Sequence, residues 1–191
     1  MTCKTLKDIM NLPLISQCAI ACALFLPLTS ALAHVVLAEP SAPTNASYRA
    51  TLRVSHGCEG SPVTALRVTI PEGFSGAKPM PKAGWILSTK SAKLAKPYTS
   101  HGKTITEDVT EISWTAASKD SWLQDAWYDE FVLRGGLPGS VGPMWFRVTQ
   151  TCEKGSIDWI ETPATGTSTK GLKFPAVLLE IIDAGATAHQ H

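Results

Sequence analysis

An all-β antiparallel sandwich of about nine short strands is the fold this sequence predicts, and three observations predict it. Segments alternate apolar and polar residues with period two, most clearly over 48–54, where Tyr48, Ala50, Leu52 and Val54 share one face and Arg49, Thr51 and Arg53 the other. Turn-forming residues punctuate the chain at short intervals, with 14 Gly and 13 Pro among 191 residues. About nine such short segments follow one another after residue 33 with turns between them.

The elements follow in order. Residues 34–39 (HVVLAE) read as a short strand ended by Pro40 and the turn-rich 41–47, and 48–54 is the alternating strand. Residues 65–70 place Leu66, Val68 and Ile70 inward, before a stop at Pro71 to Gly73. The Pro- and Gly-rich run 75–84 is expected to be irregular. Residues 85–89 form a strand, the Lys-rich 90–103 a solvated loop or hairpin tip, and 104–115 a strand with a register change inside it. A helical turn or loop over 118–127 precedes strands at 128–134, 144–152, 157–161 and 175–182. The last of these is too short, and too acidic at Glu180 and Asp183, to anchor the chain in a membrane.

The first 33 residues have the order of a secretory signal: Lys4 and Lys7, an apolar run from Cys18 to Leu28, then Ala31-Leu32-Ala33. The domain expectation is therefore a signal peptide over 1–33, one sandwich over 34–184 and a flexible tail over 185–191. Cleavage removes Cys3, Cys18 and Cys22, which leaves Cys58 and Cys152. Two cysteines in an oxidising compartment read as one disulfide, so neither is expected to serve as a thiolate ligand. Charge is nearly balanced, with 17 basic and 16 acidic residues, which argues against a nucleic-acid partner.

Cleavage after Ala33 would make His34 the first residue, with a free α-amine whose ordinary pKa is about 7.7–8.0. A metal can displace that proton near neutral pH, and the amine and imidazole of one residue then chelate one ion. Two such nitrogens suit Cu(II), which favours tetragonal N and O sites. If strands 34–39 and 48–54 pair as a hairpin, His34 lies near the 56–59 loop, which supplies His56 and Glu59 as candidate ligands. The expected Cys58–Cys152 bridge brings a second strand to that end. A hairpin about residues 153–156 sets Trp159 opposite about Gln150 and so returns it toward His34. Trp145 lies seven residues up its strand from Cys152, roughly 23 Å away. His101 reads as an exposed turn residue, and His189 and His191 sit in the tail without fixed geometry.

The chain resembles the YcnI-like domains, exported bacterial copper-binding proteins, over essentially all of 34–184. The resemblance is carried by His34-Val35-Val36 directly after the signal, the 48–54 strand, Thr64 with Ile70-Pro71-Glu72-Gly73, Pro81 to Trp85, Ile112 to Trp114, Glu130-Phe131, and 145–151 with Asp158-Trp159. It implies a cupredoxin-like, immunoglobulin-like sandwich. It also implies a single-histidine copper brace: amine and imidazole of His34, a glutamate that maps to Glu59, and a nearby tryptophan that maps to Trp159, with Trp145 as second choice. The 56–59 loop departs from the resemblance in carrying His56 and Cys58. The expected role is a periplasmic Cu(II) chaperone or buffer, not an enzyme, working with other periplasmic or inner-membrane copper-handling proteins. Only Met80 and Met144 remain after cleavage, too few for a thioether Cu(I) site. The rival classes are a copper-dependent oxidative enzyme resembling lytic polysaccharide monooxygenases, with His56 as the second histidine, and a metal-free interaction domain.

Overall fold

Period-two alternation in the sequence becomes two facing sheets. The structure, a computed structural model, describes residues 34–185. The predicted signal and the tail histidines His189 and His191 lie outside the described residues.

Eleven strands run in the order β1 (Val36–Leu37), β2 (Ser41–Pro43), β3 (Ser47–Val54), β4 (Val63–Thr69), β5 (Ser75–Pro79), β6 (Trp85–Ser100), β7 (Lys103–Ala116), β8 (Asp129–Gly136), β9 (Gly142–Cys152), β10 (Ser156–Trp159) and β11 (Val177–Ile182). A 3-10 turn, Lys119–Ser121, sits between β7 and β8 where a helical turn or loop was expected. One sheet has the order β1-β3-β8-β5, the other β2-β11-β9-β4-β7-β6 with β10 added on β9. The inward faces meet in one core in which Leu52, Leu66, Ile112, Trp114, Phe131, Phe146, Val148 and Leu179 are fully buried. Tyr48, Ala50, Leu52 and Val54 are all buried, as the alternation in β3 requires.

The structure corrects the sequence reading in four places. Residues 41–43, read as turn, form β2 beside β11, a parallel pairing with a strand more than 130 residues away that no local pattern encodes. Residues 75–79, expected to be irregular, form β5. It is an edge strand on β8, where Pro79 needs no second ladder partner, and Gly76 at φ 62° absorbs a register shift. These two account for eleven strands instead of nine. The 90–103 stretch is largely strand, with the tip reduced to His101-Gly102, both at positive φ. Its many lysines suit a two-stranded ribbon solvated on both faces. Finally, the β9/β10 hairpin is tighter than expected: the Cys152 amide donates to the Gly155 carbonyl, which puts Trp159 opposite Val148 and Ile157 opposite Gln150.

The predicted register change in the 104–115 strand is present, between Lys90↔Glu111 and Ser91↔Val109. The 34–39 and 48–54 segments do pair antiparallel, over Val36↔Arg53 and Leu37↔Leu52.

Candidate metal site at the start of the sandwich

Pairing of β1 with β3 decides where His34 goes. Extending the register Val36↔Arg53 by two residues sets His34 opposite Ser55, next to His56. The His34 ring, partly exposed, meets the ring of Trp159 edge-on, with centroids 5.5 Å apart and planes at 78°. Trp159 itself is completely buried and packs in turn against Phe174, at 5.6 Å and 84°. The imidazole therefore rests on a ring that has little room to move.

What fixes that ring is Gln150. In β9 the inward positions are Met144, Phe146, Val148, Gln150 and Cys152, so a polar amide falls in an apolar register and is 1 % exposed. Burial without partners would cost several kcal/mol, and both ends of the amide are satisfied. Trp159 Nε1 donates to Gln150 Oε1 at 3.1 Å, and Gln150 Nε2 donates to the His56 carbonyl at 2.7 Å. One side chain thus ties the tryptophan under His34 to the backbone of the 56–61 loop.

That loop is held from three sides. The Cys58–Cys152 disulfide joins it to the end of β9, with Cα atoms 6.0 Å apart. The Gly57 amide donates to Asp125 Oδ1 at 2.9 Å, from a segment pinned by the Val63–Leu123 bridge. Reciprocal hydrogen bonds between Cys58 and Ser61 close a tight turn whose central residues, Glu59 and Gly60, both have positive φ, 51° and 84°. Gly57 can only be glycine, because a Cβ there would lie 1.8 Å from the Ser61 carbonyl oxygen. Glu59 is exposed at the tip of this turn, and a non-glycine residue in the left-handed region is strained, a pattern that clusters at functional sites. His56 Nδ1 lies 2.5 Å from the Gly57 carbonyl oxygen, so its ring is engaged by its own loop.

His34, Trp159 and the disulfide therefore lie at the ends of β1, β10 and β9, and His56 and Glu59 belong to the loop after β3 that the disulfide and Gln150 hold there. Trp145 does not join them. It pairs in register with Leu178 and lines a separate hollow of about 280 Å³ with Pro71, Glu72 and Pro143. His101 is exposed in the β6/β7 turn. Met80 is half-exposed beside β5, whereas Met144 is buried in the core, so the two thioethers serve different places. Among the described residues, no three His, Cys, Asp or Glu side chains gather into a metal-holding cluster. An ion held at His34 would need a donor besides those side chains, and the α-amine of a cleaved chain is one. Sequence reasoning missed Gln150 and Asp125. The first was visible as the one polar residue in the inward register of 144–152; the second had no local signal.

No helix among the described residues is long and apolar enough to cross a membrane. The Cys58–Cys152 disulfide is consistent with an exported protein. No curated protein matches the chain. Among solved structures it is similar to an uncharacterized protein from Nocardia farcinica, whose crystal structure reveals an immunoglobulin-like fold. The two share 25% identity with a TM-score of 0.59, over 78% of this chain and 97% of that one. Residues 34–181 match the model of a domain of unknown function, DUF1775. That match begins at His34 and runs into the last strand, and the chain belongs to the DUF1775 family, which includes the YcnI-like proteins.

Proposed function

We propose that this is an exported, periplasmic Cu(II)-binding protein that carries copper as cargo, as a chaperone or buffer, and performs no catalysis. The observation that carries the reading is the contact between the His34 ring and buried Trp159, because it gives a candidate first residue a fixed imidazole. Removal of residues 1–33 frees the His34 amine, so that amine and imidazole supply two nitrogens to one ion. Glu59 contributes a carboxylate from the strained turn tip. Two nitrogens and one oxygen suit Cu(II), whereas Cys58 and Cys152 are spent in the disulfide and Met144 is buried in the core. Trp159 limits how far the imidazole can tilt and shields one side of it from water.

The test is a Cu(II) titration followed by electron paramagnetic resonance, on protein recovered from the periplasm with its terminus checked by mass. A sample carrying one extra residue before His34 is the control. Tight binding with a nitrogen-rich tetragonal signal in the authentic sample alone is the expected result. Equal binding by both samples would move the site away from the terminus, and peroxide production driven by ascorbate would favour an oxidative enzyme over a carrier.

A further inference from the structure

The outer face of the four-stranded sheet carries an arrangement that the sandwich alone does not require. Arg49 in β3 is the cross-strand partner of Arg134 in β8, and Arg134 is in turn the partner of Lys78 in β5. Direct partners point to the same side of a sheet, so three cations stand in one row across adjacent strands, spanning about 10 Å at roughly 4.8 Å per strand. Like charges placed directly opposite each other destabilise a sheet. Arg53, further along β3, is paired with Glu130 at 3.0 Å, which is the ordinary solution on the same face. Among the described residues, Arg49, Arg134 and Lys78 enter no ion pair. Arg134 is oriented by its Nη2, which donates to Ser47 Oγ at 3.0 Å.

The row lines a groove of about 500 Å³, the size of a small-molecule site, whose other walls include Pro79, Met80, Pro81 and Val132. Val132 is buried although it faces outward, and Met80 is half-exposed. One part of the groove is therefore cationic and the rest apolar. Two guanidinium forks and an ammonium supply more positive charge than a carboxylate can balance, and guanidinium planes match phosphate oxygens in paired hydrogen bonds.

We propose that this groove binds a phosphate monoester with an apolar body, its head on Arg49, Arg134 and Lys78 and its body along Met80 and Val132. The site is separate from His34 and does not depend on copper. The phosphate head can belong to a soluble metabolite or to a lipid, and the test distinguishes them. The protein, in phosphate-free buffer, is titrated with hexyl phosphate and with inorganic phosphate while amide and methyl NMR shifts and the melting temperature are followed. It is also sedimented with phosphatidylcholine vesicles with and without phosphatidic acid.

Hexyl phosphate should shift the Arg49, Lys78, Val132 and Arg134 amides and the Met80 methyl saturably, raise the melting temperature, and bind at least about tenfold more tightly than inorganic phosphate. The double variant Arg49→Gln with Arg134→Gln should lose at least about tenfold in affinity. Without ligand it should melt no lower than the wild type, since it relieves repulsion between direct cross-strand partners. Sedimentation that needs both phosphatidic acid and the intact row, with no saturable hexyl phosphate binding, would support the site and assign it to a lipid. No saturable response to either probe, or equal binding by the double variant, would overturn it.

Discussion

Substituting Gln150 by leucine removes a buried amide of similar size, takes the acceptor from the completely buried indole N–H of Trp159 and removes one hydrogen bond to the carbonyl of His56. Orphaning the buried indole costs about 1–3 kcal/mol and the lost hydrogen bond to the loop about 0.5–1.5 kcal/mol, so the variant should lose about 2–4 kcal/mol. In a domain of this size, 1 kcal/mol moves the melting temperature by about 2–4 °C, which makes the expected fall about 4–16 °C. Urea unfolding should show a lower midpoint with an unchanged slope. The double variant Gln150→Leu with Trp159→Phe is the sharper measurement, because it removes the indole donor together with its acceptor. It should be destabilised by less than the sum of the single changes, a coupling of about 0.5–3 kcal/mol. A Gln150→Leu protein as stable as the wild type, or strict additivity in the double variant, would refute the claim that this amide ties Trp159 to the loop. Under the copper reading, Gln150→Leu should also weaken Cu(II) binding, since both the tryptophan under His34 and the loop bearing Glu59 lose their common tie.

Three further perturbations separate stability from function. Glu59→Gly should stabilise the fold by about 1 kcal/mol in urea unfolding, because glycine accepts φ 51° without strain, while Cu(II) affinity falls; Glu59→Gln should lose affinity without that gain. Replacing both Cys58 and Cys152 by serine opens a cross-link between residues 94 apart in sequence, which loop-closure entropy values at up to about 5 kcal/mol, read as a drop in the urea midpoint. Burial, and secondarily the charge of Glu39, push the Tyr48 hydroxyl well above its ordinary value of 10.0. Its raised value means that the stability Tyr48 contributes is complete below about pH 10 and is lost as pH rises above that, so alkaline unfolding curves should fall more steeply for the wild type than for Tyr48→Phe.

The fold was legible wherever one face of a strand is buried and the other wet. In 48–54 and 144–152 the alternation names the inward residues outright, and the antiparallel pairing of β1 with β3 follows from the short connection between them. Legibility failed at edges. β2 owes its existence to β11, its parallel neighbour across most of the chain, and β5 to β8, so in both the stabilising partner is remote and the local composition of Pro, Gly and Ser reads as turn. The β6/β7 ribbon failed for the opposite reason: between Lys90 and Lys103 both faces are mostly solvated, so there is no apolar set for a period to organise.

The candidate site divides along the same line. His34, Trp159 and the disulfide come from strand ends whose registers are set by buried neighbours, and the hairpin that returns Trp159 was foreseeable although its exact partner was off by two positions. Curiously for a core position, Gln150 is polar, and in a strand that otherwise alternates cleanly this is the kind of inconsistency that points to a site: a hydrophobic residue would fill the space equally well but would take the acceptor from the Trp159 N–H and cut the tie to the loop. Glu59 makes the same point in backbone terms, since Asn, Asp or Gly would occupy its turn position with less strain. Two local rules are thus broken within one loop and the strand beneath it, on either side of the bridge that joins them. If the only demand on this end of the sandwich were stability, Gln150→Leu with Trp159→Phe and Glu59→Gly would together be a better sequence; that combination should fold well and bind Cu(II) poorly.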